Sequence, residues 1–211
     1  VTTSGNAAHS SQIFTDKVGD GAIFEIARIL QEFRLQLADL PLLSFNPGVI
    51  AGGTRVSTNK GGDEVVAFGK TNVVAKDASV KGGLRAASQE QLEQAKAIMS
   101  QVVEQHLAQT DATFMFDEGY PPMKETKGNK SLLAQYSQVS VDLGYGPVTA
   151  VNPRNAGAAD ISFTAGHVKM AIDGLGLMGE GGHTKDEVAD MTTFKQNIEK
   201  TAVLMYRLSN P

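Results

Sequence analysis

Ala78-Ser79-Val80-Lys81-Gly82-Gly83-Leu84-Arg85-Ala86-Ala87-Ser88-Gln89-Glu90-Gln91-Leu92 changes period in mid-run, and the first half of the chain is read from that change. Residues 78–86 read as a strand, and Ser88 with Gln91 three positions later forms a capping box, which marks a helix start. Leu92, Ala95, Met99, Val102 and Val103 then supply the apolar stripe of that helix. Upstream, 64–68 and 43–51 also read as strands, the second punctuated by Gly52-Gly53. Residues 54–63 read as a polar loop or irregular edge, and Lys70-Thr71-Asn72 as a polar corner. Further back, Ile23, Ile26, Ala27, Leu30, Phe33 and Leu37 recur at helical spacing over 19–38, ahead of Leu40-Pro41. The chain opens with a β-prone run, 1–6, leading to His9 among alanines and serines, and 112–116 gives one more strand. Strand, helix, three strands, helix, strand predicts a ferredoxin-like α/β sandwich with a largely antiparallel sheet and both helices on one face. Its exposed face or edge strand is a ready place for dimerisation.

Tyr120-Pro121-Pro122 stiffens the chain and removes backbone donors, so a new unit is expected there. Leu132, Leu133, Tyr136, Val139 and Leu143 form a helical stripe ended by glycines. Residues 148–151 and 168–172 read as short buried strands, 158–164 as a short helix between them, and Asn152-Pro153-Arg154-Asn155-Ala156-Gly157 as a loop. A last helix places Met191, Phe194, Ile198, Ala202, Met205 and Leu208 on one face. Strands alternating with helices predict part of a doubly wound α/β domain with too few strands to close its sheet.

The most conspicuous loop is Gly179-Glu180-Gly181-Gly182-His183-Thr184-Lys185-Asp186-Glu187. Its glycines let the backbone turn tightly around an imidazole, the commonest side-chain metal ligand. Taken alone, such a loop is more often a surface turn that happens to contain a histidine. Of the other histidines, His106 reads as structural and His167 as a turn residue. Met99, Met170, Met178 and Met205 read as core filler.

Composition narrows the functional classes. With 211 residues and 41% hydrophobic content the chain can bury a real core. A net charge of -4 and no long basic run argue against nucleic acid as a partner. No apolar stretch is long enough to span a membrane. With no cysteine there is neither a disulfide frame nor a thiolate metal site, so any metal must be held by histidine and carboxylates. The compartment stays open. Val1-Thr2-Thr3 has neither an initiator methionine nor a signal peptide, so a processed, trimmed or excerpted product is expected.

Five runs stand in a recognisable order: Gly5-Asn6-Ala7-Ala8-His9-Ser10, Thr71-Asn72-Val73-Val74, Gly83-Leu84-Arg85, Gly157-Ala158-Ala159-Asp160 and Gly182-His183-Thr184-Lys185-Asp186-Glu187. Together they resemble the M20 family of zinc exopeptidases, and within it the glutamate carboxypeptidase-like members. The resemblance implies a lid or dimerisation domain at 1–119, followed by the C-terminal part of a catalytic domain at 120–211. It implies that His9 reaches the active site of the partner subunit, that Asn72 and Arg85 engage the substrate or its carboxylate, and that the loop of Gly157 lines the pocket. It also implies that His183 is a zinc ligand, with Asp186 and Glu187 stabilising its loop. The parent enzyme would be a homodimer with two zinc ions per active site, at most one ligand coming from this chain, and would cleave a small peptide or N-acyl amino acid. The fragment alone would be inactive. The alternative is a noncatalytic α/β dimerisation module without the metal-binding half.

Overall fold

The computed structural model describes residues 1–59 and 64–210, so Lys60 to Asp63, the end of the stretch read as a polar loop, lie outside the described residues. The chain divides into two compact units, Val1–Pro122 and Met123–Pro211.

In the first unit, strand β1 (Thr2–Gly5) leads through a 3-10 turn at Ser10–Gln12 into helix α1 (Ala22–Leu37). Strands β2 (Ser44–Gly53), β3 (Arg55–Thr58), β4 (Val65–Phe68) and β5 (Asp77–Arg85) follow, then helix α2 (Gln89–Val103) and strand β6 (Thr110–Thr113). The main sheet has the order β2-β5-β1-β6 with every pair antiparallel, and β3 and β4 form a separate hairpin. The sandwich is therefore as expected, with one strand more. The polar Arg55, Ser57 and Thr58 predict a loop over 55–58. They form a strand because β4 supplies a ladder partner, which local sequence does not reveal.

Helix α2 forms as its sequence dictates. Ser88 Oγ accepts the Gln91 N–H at 3.2 Å, Gln91 Oε1 accepts the Ala87 N–H at 2.8 Å, and all five stripe residues are buried. Ala95, Met99, Val102 and Val103 pack with Ile29, Phe33, Leu37 and Leu43 into the main core, and Ala22, Ile26, Ala78 and Val80 make a second cluster beside it. In α1 the buried face is rotated from the expected stripe. Ile29 and Glu25 are fully buried, while Ile23 is 48% exposed.

Glu25 explains the rotation, because it occupies a core position with its charge satisfied. Its carboxylate takes Arg28 Nη2 at 2.6 Å, Arg28 Nε at 3.2 Å and the Leu107 N–H at 2.9 Å, with His106 Nδ1 3.5 Å away. Arg28 also donates to the carbonyls of Val102 and Gln105, closing the C-terminal end of α2. Burial pushes the Glu25 carboxyl up, but the Arg28 hydrogen bond, the Leu107 N–H, the Arg28 charge and His106 together outweigh it and hold the group below its ordinary range. His106 is structural, as expected.

The entry to α1 depends on backbone that only glycine adopts easily. Gly19 and Gly21 both have positive φ, and a Cβ on Gly19 would stand 1.9 Å from the Ala108 carbonyl oxygen. The buried Thr3 hydroxyl donates to the Ala22 carbonyl at 2.8 Å, fixing the first turn of α1 against β1.

The second unit contains α3 (Lys127–Asp142), a 3-10 turn at Pro153–Asn155, α4 (Ile161–Ala165), the short strands β7 (Gly179–Glu180) and β8 (Val188–Ala189), and α5 (Thr192–Ser209). Leu132, Tyr136, Val139 and Leu204 form its core. The Tyr145 hydroxyl donates to the Glu199 carboxylate, and Arg207 pairs with Asp142 at 2.7 Å, so α5 is tied to the end of α3 and the turn after it. The shared hydrogen bond raises the Tyr145 hydroxyl and lowers the Glu199 carboxyl.

Three expectations for this unit are corrected. Residues 148–151 and 168–172 are not strands, and the described residues contain no parallel pair of a doubly wound sheet. Side chains of α3 take the place of a ladder: Ser137 Oγ accepts the Val148 N–H at 3.0 Å, and Asn129 Oδ1 accepts the Ala171 N–H at 3.0 Å. The apolar stripe of α5 faces out, with Met191, Phe194, Ile198, Met205 and Leu208 all exposed, while Asn197 and Leu204 are the buried residues. Met170, Met178 and Met205 are surface residues, not core filler. Among the described residues no helix is long and apolar enough to cross a membrane.

Candidate functional site

His9 and Asn72 lie 63 positions apart in the chain, and a short antiparallel contact brings their segments together. His9 bridges Val73, the Ser10 N–H donates to the Asn72 carbonyl at 2.9 Å, and the Val74 N–H donates to the Ala8 carbonyl at 2.9 Å. The His9 ring is oriented locally. Its Nδ1 accepts the Ser11 N–H at 3.3 Å and lies 2.9 Å from Ser11 Oγ, which leaves Nε2 for another partner on an exposed ring. Ser11 is the positioning residue that composition did not single out.

Arg85 is not part of this corner. The segment of Asn72 leads into the start of β5, whereas Arg85 ends that strand opposite Ser44, roughly 27 Å from Asp77 at the usual rise per strand residue. Both ends of β5 thus carry a candidate residue, but one small ligand does not touch both.

In the second unit, Gly157 is exposed, and a Cβ there would meet nothing within 4 Å. Its loop is open, and nothing about the position requires glycine for packing. His183 stands at the tip of the β7–β8 hairpin in the left-handed region, φ 66°, next to Gly181 at φ 70°. A non-glycine residue there is held by its surroundings. Thr184 does most of this, its N–H and Oγ1 donating to the Gly181 carbonyl at 3.1 and 2.6 Å and its Oγ1 accepting the Asp186 N–H at 3.2 Å. Glu187 Oε2 accepts the His183 N–H at 3.4 Å. Asp186 is exposed, and its carboxylate lies 3.9 Å from Lys185 Nζ.

A catalytic zinc needs about three protein ligands and an open position for water. Among the described residues no three histidine, aspartate or glutamate side chains gather closely enough to hold a metal ion. The described residues do not by themselves make a zinc site, whatever His183 contributes to one.

Comparison with known proteins places these elements. A model of the peptidase dimerisation domain of M20 peptidases matches residues 1–111, a little over half of the chain. The chain belongs to the M20 peptidase dimerisation-domain family. Its fold is similar to that of a tripeptidase from Staphylococcus aureus, at 18% identity and a TM-score of 0.71, over 100% of this chain and 50% of that one. It is also similar to the aminopeptidase PepT from Bacillus cereus, at 19% identity and a TM-score of 0.65, over 99% and 50%. An amidase of the hydantoinase/carbamoylase family from Burkholderia phymatum matches at 17% identity and a TM-score of 0.52, over 98% and 46%. At these identities the likeness is one of fold, and the chain spans about half the length of each of these structures. No curated protein sequence matches it. The mixed α/β fold with an antiparallel sheet is the one expected for a dimerisation domain of this family.

Proposed function

We propose that this chain is the dimerisation domain and following catalytic segment of a zinc-dependent amidohydrolase. It cleaves a peptide or N-acyl amide bond next to a free carboxylate and acts as a homodimer, with the glutamate carboxypeptidase-like members as its model. The observation that carries the reading is the pairing of 8–10 with 72–74, which brings the segments of His9 and Asn72 together at one corner of a peptidase dimerisation domain. His9 offers a ring nitrogen to a substrate carbonyl, Asn72 adds a neutral donor, and Arg85 offers a fork of donors to a carboxylate. Because Arg85 lies at the far end of β5, it serves a different part of the substrate or the other site of the dimer. Tripeptidase, aminopeptidase and amidase, the activities of proteins with similar folds, all favour an amide-bond substrate.

Zinc enters this reading as a metal held largely outside the chain. His183 is its single ligand here, with Thr184 and Glu187 keeping the imidazole presented, and the metal supplies Lewis acidity at the scissile carbonyl. The outward apolar stripe of α5 supports a larger parent, since exposed apolar faces of this extent mark surfaces that another part of a protein covers.

The dimer forms through the β2 edge and the adjoining flank of α1. Pro47 and Gly48 make a bulge in β2, which leaves 49–53 as its regular stretch. Ile50 is 55% exposed there, and Ile23 of α1 lies over Gly52, so the edge is apolar where it is regular.

The test is made on the protein purified from its native source, by metal analysis and hydrolysis of N-acyl glutamate and tripeptides. His183→Ala is expected to lower bound zinc and reduce turnover by at least about a hundredfold. Unchanged zinc content in that variant would remove His183 from the metal site. A native protein with no zinc and no turnover would leave the noncatalytic dimerisation module, which the lack of a gathered ligand set among the described residues favours.

A further inference from the structure

The face of the main sheet turned away from α1 and α2 carries a groove of about 390 Å³, walled on one side by Val56 and Thr58 of β3. Its floor follows from strand register. Ser4 of β1 stands opposite Asp77 on one neighbour and Asp111 on the other, and Thr2 stands opposite Ser79 and Thr113. Directly opposed residues share a face, so the floor is two rows: carboxylate, hydroxyl, carboxylate, and beside it three hydroxyls. The two carboxylates stand roughly 10 Å apart at Cα, one strand spacing on either side of Ser4.

Ser79 makes this more than an acidic patch. It is only 7% exposed, it lines the groove, and its hydroxyl has no hydrogen-bond partner among the described residues. The residue is buried but its hydroxyl oxygen is not sealed off, so it opens onto the groove and is free to pair with a ligand there. Asp111 is half engaged, since Oδ1 takes the Ala112 N–H at 2.8 Å and lies 3.6 Å from His106 Nε2, which leaves Oδ2. Among the described residues, no lysine, arginine or histidine lines the groove. Lys81 follows Ser79 on the same face of β5, beyond the lining, and marks where the acidic stretch stops.

The missing complement is a compact cation with several donors. We propose that this groove binds a primary ammonium group, carried by a small amine or by the free amino end of a short peptide. The group sits over Ser4, with its three N–H bonds directed to Asp77, to Asp111 Oδ2 and to the hydroxyl rows. An ammonium has three donors and no acceptor, which suits a floor of carboxylates and hydroxyls, and the carbon next to it has Val56 to rest against. A divalent metal fits less well, because no three metal-ligating side chains gather among the described residues. The site is distinct from the corner of His9 and Asn72 and does not depend on the hydrolase reading.

The test is an amide-resolved NMR titration of the full chain with three probes: propylamine, triglycine and N-acetyl-triglycine. Propylamine or triglycine is expected to shift the Thr2, Ser79 and Thr113 amides saturably, with affinity in roughly the millimolar range for a solvent-accessible charge pair. Shifts with propylamine alone assign the site to small amines, and shifts with triglycine assign it to peptide amino ends. Acetylation removes the charge and should abolish the shifts. Asp77→Asn should weaken binding by about tenfold, the loss of one charge-assisted contact. Ser79→Ala, which leaves every charge in place, should weaken it measurably. No saturable shift with either amine, equal shifts with the acetylated peptide, or unchanged affinity in both variants would overturn the proposal. The same spectra report whether each variant is folded, and if Asp77→Asn is not, Ser79→Ala decides.

Discussion

Ile50→Asp is expected to turn the dimer into monomers, raising the dissociation constant by on the order of a thousandfold. In an isolated protomer Ile50 is more than half exposed on an edge strand, so an aspartate there meets water and the fold tolerates it. Inward-facing charges on edge strands are a device by which natural sheets avoid edge pairing. In the dimer two β2 edges approach, and the face of Ile50, shared with the buried Val80 opposite it, becomes the inside of a continuous sheet beneath the α1 helices. Each protomer then brings one unpaired carboxylate to a desolvated seam. An uncompensated buried charge costs about 3–5 kcal/mol, and a single such cost already corresponds to at least about two orders of magnitude in affinity. Sedimentation equilibrium measures the shift directly, with circular dichroism confirming that the protomer is intact. The apolar stripe of α5 offers another route to association, so the comparison is made in a Phe194→Lys, Ile198→Lys background. Both of those residues are more than half exposed. If Ile50→Asp dimerises in that background as tightly as its parent, the interface is not at β2.

What the sequence makes legible, and what it leaves hidden, divides along the range of the interactions involved. The start and buried stripe of α2 can be read because every signal lies within one helix: a cap, its reciprocal glutamine and an unbroken period. The rotated face of α1 cannot, because the residue that shifts it is a glutamate, and a buried charge reads as a surface position until its partners in the turn after α2 are known. β3 and the contact between His9 and Val73 are hidden for a related reason, since each depends on a pairing that no local signal announces. The stripe of α5 shows the limit of periodicity itself. A regular apolar face states that something covers it and is silent about what, and within this chain the stripe is uncovered. Segments 148–151 and 168–172 fail as strands in the same way: strand composition without a ladder partner, with α3 side chains satisfying the backbone instead. Of the site, the family motifs single out His9, Asn72, Arg85, Gly157 and His183. The hydrogen bonds of Ser11 and Thr184, which hold two of these, are visible only in three dimensions.

Glu25→Ala is expected to cost the first unit about 3 kcal/mol, a larger loss than a methylene deletion in the same core. Removing the carboxylate strands the Arg28 guanidinium at the junction of two helices, leaves the Leu107 N–H without its acceptor and loosens the turn through 105–107 that feeds β6. The guanidinium is only 19% exposed, so water compensates poorly. Glu25→Gln separates charge from shape. The amide oxygen still accepts the Leu107 N–H, but the charge that answers Arg28 is gone, so an intermediate loss is expected. The two variants also differ from the parent in pH dependence. Because the folded carboxyl lies below its unfolded value, its contribution is fully present above the ordinary glutamate pKa of about 4.3. It is lost as the pH falls through the lower folded value. In urea unfolding at a series of pH values, the parent should therefore lose stability on the acid side more steeply than Glu25→Gln, the two curves converging toward low pH. Parallel curves would mean that Glu25 folds with an ordinary pKa, leaving its hydrogen bonds rather than its charge as the reason for a glutamate in the core.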